Sequence, residues 1–510
     1  MSRSKRFIAG LLSGYGSIAA NIIFTMASIP LALHYLDKEH FGLWALAAQI
    51  NGYLMLIDLG MNGAVSRFIA DHKDDVNGGD YGSQLLTGGL VFAIQGLLIA
   101  SIGLGFSWFA PSIFAIPLHL ADDFRGLLML LAFFTGLSVA SRSFGAPLWA
   151  FNRYDVLNNL STLSILVNLI LLWYGFRSNW GVFSFAIAQV PMLFISPATC
   201  VWVCHRNRYY PTAGHWGKVS FSIFKQTFHY GKDALKIQLG SQLINASQIM
   251  IITRLVSLEA AATFAVSIKI YTMGMMLIVN PISVAGPGLT ELYVRGEITR
   301  FIQRYWEIIA LTLAVSTLVA VGIATGNRSF VNLWTHGRIE WPWTGDLILA
   351  LLIVLRTLNG CFLNLFGLTK NWQPVRYVYL AEGLIFVPCA VMLAKPYGVS
   401  GVLIASLIAH VIATTTLSAR AASRVIGSPV KLAKGLVVSF SLITVASTLN
   451  WGATKISIHP FPMLAATACT CLIAISLIWF MILPVNFRNE ARTRLALATG
   501  KIFKPLFRTQ

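Results

Sequence analysis

Of the 510 residues, 56% are hydrophobic and 11% charged, and the mean hydropathy is +0.69. Soluble domains carry roughly a quarter charged residues, so the composition excludes a water-soluble domain and implies a polytopic membrane protein. The net charge of +19 is spread as short clusters between apolar segments. That is the pattern of orientation signals, and it argues against nucleic acid as a partner.

The chain opens with the basic stretch Met1-Ser-Arg-Ser-Lys-Arg6, followed by an apolar run that continues to about Leu36. The run is too long for the core of a cleaved signal and reads as an uncleaved first helix. Apolar runs then recur at 8–36, 41–69, 84–109, 124–150, 156–176, 181–204, 232–255, 261–285, 305–326, 345–368, 375–394, 398–420, 434–452 and 461–484, which predicts about fourteen transmembrane helices and an all-α fold. No connecting segment is long enough for a soluble domain. The six cysteines all fall inside apolar runs without a CxxC pair, so they read as small apolar residues.

Ionisable residues inside these runs carry the functional argument, because a charge at bilayer depth must face protein or a water-filled cavity. Asp58 sits near the middle of the second span, flanked by Gly60, Gly63 and Ala64. It either ties down a neighbouring helix or lines a transport path. Arg142 falls in the fourth span and Arg356 in the tenth; each could face a cavity or pair with a carboxylate such as Asp58 or Glu382. The seventh span begins His229-Tyr-Gly-Lys-Asp-Ala-Leu-Lys236, placing Lys232 and Lys236 on one helix face, with Asp233 between them. Lys232 also fits a snorkelling anchor. Lys269 lies well inside the eighth span, whereas Arg254, at the end of the seventh, reads as an anchor. Glu382 in the eleventh span and Asp58 are candidates for coupling to a proton or cation, since a desolvated carboxylate can titrate near neutral pH. His410 in the twelfth span could assist or simply pack. Most tryptophans sit at span ends, as an interfacial belt requires. No nucleotide-binding loop, catalytic triad or metal-ligand cluster is present in the sequence, so enzymatic chemistry and cofactors are not expected.

Loop charge sets orientation. With the N-terminus inside, the cytoplasmic loops and both ends hold 25 Lys and Arg against 7 on the opposite side, so both termini are expected in the cytoplasm. An internal repeat runs through the same spans. Glu39 and Glu259, Asn152-Arg-Tyr154 and Lys370-Asn-Trp372, and Trp180-Gly-Val182 and Ser400-Gly-Val402 recur at offsets of about 218–220. An even-numbered unit keeps orientation, which suggests two parallel six-helix halves. The expected organisation is an N-terminal lobe at 1–228, a C-terminal lobe at 229–430, and two further helices with a basic tail at 431–510. Arg142 and Arg356 then occupy repeat-related positions within one helical turn of each other, so arginines from the two lobes could face one cavity.

The run Tyr35-Leu-Asp-Lys-Glu-His-Phe-Gly-Leu-Trp44, with Tyr53-Leu-Met-Leu-Ile-Asp-Leu-Gly60 and Ala64-Val-Ser-Arg67, resembles the first two helices of bacterial polysaccharide flippases. These are the O-antigen and exopolysaccharide transporters of the multidrug/oligosaccharidyl-lipid/polysaccharide exporter superfamily. Asn152-Arg-Tyr154 and Gly367-Leu-Thr-Lys-Asn371 resemble that family's turns before spans five and eleven. The resemblance covers about the first 430 residues. It implies an inner-membrane protein that moves undecaprenyl-diphosphate-linked oligosaccharide by alternating access, working beside a glycan polymerase complex. Its substrate carries a pyrophosphate, for which arginine offers bidentate contacts and lysine a point charge. The set Arg142, Arg356, Lys232, Lys236 and Lys269 is therefore expected to bind it. Two alternatives compete: an organic-cation antiporter of the same superfamily, which would favour an acidic cavity, and a non-transporting scaffold of a glycan-assembly complex. Helices thirteen and fourteen contain no intramembrane acid or base and could form a groove for a polyprenyl tail or pack peripherally.

Overall fold

A computed structural model describes residues 3–368, 377–426, 433–455, 460–484 and 487–489. The turn Lys370-Asn-Trp372 and the tail from Glu490 lie outside them. Among the described residues the regular structure is helical, without strands. In chain order the helices are α1 (Arg3–Tyr35), α2 (Lys38–Leu54), α3 (Met61–Asp71), α4 (Asp80–Ile113), α5 (Leu118–Ala140), α6 (Arg142–Ala150), α7 (Tyr154–Arg177), α8 (Ser184–Ile187), α9 (Val190–Arg206), α10 (Phe221–Leu255), α11 (Leu258–Ser267), α12 (Lys269–Val294), α13 (Ile298–Trp334), α14 (Trp343–Leu368), α15 (Val378–Ala409), α16 (Thr416–Ile426), α17 (Ala433–Lys455) and α18 (Pro460–Met481).

Eleven of these stretches, or twelve if α2 and α3 form one bent span, are long and apolar enough to cross a bilayer. Val378–Arg424 is 47 residues long, twice what a bilayer needs, and Gly398 breaks it with a positive φ of 57°. Counting both halves, and adding the charge-bearing α10, gives the fourteen spans expected from the sequence.

Several spans are broken where the sequence reads as continuous. Span two becomes α2, a 3₁₀ turn at Met55–Asp58, and α3, bent by 43°. Span four divides at Ser141 into α5 and α6, and span eight divides at Ile268 into α11 and α12. Apolar patterning reports depth, and these breaks leave it unchanged.

Packing separates two compact units, Met1–Val266 with Val387–Val402, and Ser267–Phe386 with Leu403–Gln510. The first groups α10 and α11 with the N-terminal helices, whereas the internal repeat begins its second half before α10. The repeat boundary is a matter of sequence offsets, and packing does not test it. Within the first unit, α4 and α5 cross at Gly96 and Gly136, where a Cβ on either glycine would overlap the other's carbonyl oxygen. Small residues of this kind let helix backbones touch in a lipid environment that supplies no hydrophobic drive for association. In the same unit α2 and α3 lie against α10. Tyr53 Oη donates to Gln242 O at 3.1 Å and shares a 2.5 Å hydrogen bond with Ser247 Oγ.

In the second unit α13 is the central element, contacted by α12, α14, α17 and α18. Asp346, in the first turn of α14, is fully buried there. Its carboxylate accepts from Asn327 Nδ2 (2.7 Å), Trp341 Nε1 (2.8 Å), the Arg328 backbone N–H (3.2 Å) and Asn450 Nδ2 (3.1 Å). Trp341 is therefore a buried donor, not a member of the interfacial belt. Asn450 belongs to α17, so that helix is hydrogen-bonded into the unit. Replacing Asn450 by alanine removes one of four donors from a buried carboxylate and should cost about 1–3 kcal/mol. Thermal unfolding in detergent micelles checks this; an unchanged midpoint would show that α17 is held by apolar packing alone.

Candidate functional site

The break in span two creates the first feature of interest. Leu59 and Gly60 both adopt left-handed backbone, with φ of 52° and 71°. A carbonyl freed from a helix inside a membrane needs another donor. Gln95 of α4 supplies it, donating from Nε2 to Asp58 O at 2.9 Å. The Asp58 carboxylate turns to the start of α3, where the Asn62 backbone N–H is a further donor. Gly231 of α10 packs against Leu59 and Gly60, and a Cβ there would lie 2.8 Å from Leu59 O.

Across from this break lies the one in span four. Arg142 is the first residue of α6, and its Nη1 donates to Asp58 Oδ1 at 3.1 Å. The two side chains are unequally placed: Asp58 is 7% exposed and Arg142 28%. At an effective dielectric of about 20 a contact this close is worth roughly 4 kcal/mol before desolvation, which removes much of it. The exposed side of Arg142 borders an open cavity of about 300 Å³ lined from α3, α5, α6, α7 and α9. Its polar wall comprises Asn62, Ser66, Ser138, Ser141, Ser196 and Arg142, and its apolar wall includes Trp149, Met192 and Pro197. No carboxylate lines it among the described residues. One guanidinium, several hydroxyls and the positive end of α6 give it the character of an anion site.

The second unit holds the other predicted pair. Glu382 (α15) is 1% exposed; it accepts from His410 Nδ1 at 3.0 Å and from Thr414 Oγ1, and lies 3.8 Å from Arg356 Nη2. Arg356 (α14) also donates to Ser406 Oγ at 2.9 Å. On its far side the His410 ring lies 2.6 Å from Asn359 Nδ2, through Nε2. Asn359 Oδ1 accepts in turn from Ser418 Oγ at 2.7 Å. His410–Thr415 forms a π-helical turn, and His410 and Thr414, four residues apart within it, both meet one carboxylate.

The sequence-predicted residues are thus distributed over two sites. Asp58 joins Arg142 in the first unit, and Glu382 joins Arg356 in the second. Lys269 begins α12 at the break in span eight, half-buried and without a hydrogen-bond or ion-pair partner among the described residues. Lys236 is half-buried on α10; the Lys232 side chain lies outside the described residues. Arg254 is exposed in the last turn of α10, where a cation meets the negative helix end. Sequence reasoning missed Gln95, Asn359, Ser406, Thr414 and Ser418. The last four leave a readable signal, because Ser406, His410, Thr414 and Ser418 recur every fourth residue in an apolar run, and Asn359 lies one turn from Arg356.

Residues 10–293 match the model of a family described as polysaccharide biosynthesis protein. No curated protein sequence matches the chain. Among solved structures, the chain is similar to the lipid II flippase MurJ in an inward closed conformation, at TM-score 0.69 and 14% identity over 92% of this chain and 98% of that one. It is similar to an inward-facing multidrug resistance MATE transporter of the MOP superfamily, at TM-score 0.68 and 14% identity over 79% and 94%. A MOP superfamily transporter from Pyrococcus furiosus, described as having a binding pocket of reverse polarity, aligns at TM-score 0.59 and 13% identity over 83% and 96%. These likenesses establish the fold.

Glu382→Leu removes the acceptor shared by His410, Thr414 and Arg356, and stranding a buried charge costs about 3–5 kcal/mol. Adding Arg356→Met should recover part of that loss. Denaturant unfolding in micelles measures the coupling; additive losses would mean that Arg356 and Glu382 do not interact.

Proposed function

The chain belongs to the polysaccharide biosynthesis protein family, and on that premise we propose that it is a flippase for lipid-linked oligosaccharide. The carrier we assign is undecaprenyl diphosphate, moved from the cytoplasmic to the periplasmic leaflet of a bacterial inner membrane by alternating access. The observation that carries the reading is Arg142, a cation within a membrane span that borders a cavity free of carboxylates among its described lining residues. A diphosphate crossing hydrocarbon needs compensating positive charge, and a guanidinium beside hydroxyls offers it in bidentate form. An organic-cation antiporter would need the opposite polarity there.

In this reading the repeats 1–228 and 229–430 are the halves that alternate, with 431–510 appended and both termini in the cytoplasm. The excess of basic residues in the predicted cytoplasmic loops supports that orientation. Arg356, Lys236, Lys269 and Lys232 complete the cationic set, and Asp58 and Glu382 are the carboxylates available to couple transport to an ion. A glycan polymerase complex would receive the product.

Arg142→Ala should lose surface glycan while the protein stays at normal levels in the membrane. Losing one charged phosphate contact costs about 1.5–3 kcal/mol, roughly a tenfold to hundredfold loss of affinity. Arg142→Lys should restore part of the signal, keeping charge without the fork. Glycan staining of cells that carry only the variant, with normal glycan in an Arg142→Ala, Arg356→Ala double mutant, would sink the assignment.

A further inference from the structure

We propose that Asp58 is a built-in competitor for Arg142, so that an anion entering the cavity takes over the guanidinium and unlocks the break in span two. The inference rests on reading the cavity as a phosphate site and concerns how that site is regulated.

The geometry of the pair motivates it. Arg142 reaches Asp58 through a single contact, Nη1 to Oδ1 at 3.1 Å, although a guanidinium carries five N–H donors. Asp58 is nearly enclosed while Arg142 also borders the open cavity, so the guanidinium stands between an internal anion and a vestibule for an external one. As it stands the pair is electrically neutral. A diphosphate bound to Arg142 would sit beside the Asp58 carboxylate, and like charges at that separation repel strongly where water is scarce. Carboxylate and phosphate present the same oxygen-edge geometry to a guanidinium, so occupancy by one weakens occupancy by the other.

Asp58 sits at the hinge itself. It closes the 3₁₀ turn that precedes the left-handed Leu59 and Gly60, and it faces the first turn of α3. The ion pair is the charged link across the two breaks, joining α6 to the bend between α2 and α3 beside their apolar contact through Val65, Ile69, Ala146 and Ala150. Once Arg142 turns to a cavity anion, the bend keeps the Gln95 hydrogen bond to the Asp58 carbonyl and loses its charged tie. Gly231 of α10 touches the same bend, so a change of angle there is felt by α10. Loading of the cavity and the shape of span two are thereby linked, and linkage acts in both directions.

The test uses full-length protein in detergent micelles, with inorganic pyrophosphate as the probe at fixed ionic strength. Asp58→Asn keeps side-chain size and removes the charge. It should bind pyrophosphate about tenfold more tightly than the native protein, within the usual range for linked sites. Arg142→Ala should abolish binding in either background. Equal or weaker binding by Asp58→Asn, with binding still dependent on Arg142, would overturn competition and leave the cavity assignment standing. Binding that survives Arg142→Ala, or none by native protein and Asp58→Asn alike, would overturn the cavity assignment and the competition with it. Hydrogen exchange supplies the second readout. Pyrophosphate should accelerate exchange across residues 55–62 in the native protein and not in Arg142→Ala; protection of that segment would refute unlocking.

Discussion

A charge placed inside a membrane span must bring its own solvation with it, and the interior of this protein is organised around that requirement. Asp58 and Glu382, the two carboxylates deepest in the predicted spans, each face an arginine from another helix. Asp346 meets the same demand differently, through four neutral donors. The three solutions differ in what they leave available. The Asp346 cage encloses its carboxylate completely, and the Glu382 acid is met by Arg356 of α14 and by His410 and Thr414 of the π turn. The Asp58 pair leaves its cation bordering a cavity.

Broken helices are the means by which these partners meet. A straight helix consumes its own backbone groups and presents side chains at fixed intervals. The bend at Leu59 and Gly60 frees the Asp58 carbonyl for Gln95 and aims the carboxylate at the start of α3. The interruption at Ser141 makes Arg142 the first residue of a new helix. In the second unit His410 and Thr414, four residues apart in a π turn, both meet Glu382. The two arginines are met by acids from different spans, Asp58 from span two and Glu382 from span eleven.

Much of this was legible in the sequence. Apolar run length gave the spans, because bilayer thickness leaves little freedom, and the cost of buried charge singled out Asp58, Arg142, Arg356 and Glu382. Which acid serves which arginine was left open, since pairing depends on helix adjacency and hydropathy carries none. The breaks were illegible for a related reason: Leu59 and Ser141 sit in apolar surroundings that read as helix, and tertiary partners make the bends affordable. Asp346 was overlooked because it falls at the predicted edge of span ten, where a carboxylate reads as solvated. Its donors come from two helices, α13 and α17, and the loop before α14, and no local pattern announces them.

The length and polarity of α10 bear on how the protein is made. At 35 residues α10 exceeds the bilayer, and it is absent from the helices whose composition alone suits one. It carries Lys225, Lys232, Asp233, Lys236 and Arg254, so partitioning into lipid as an isolated segment is unfavourable. Yet it lies against α2 and α3, joined through Tyr53 and Gly231. During synthesis those earlier helices are already in the membrane when α10 leaves the ribosome. They can serve as the surface onto which a reluctant span is folded, which makes the order of insertion part of what this sequence encodes.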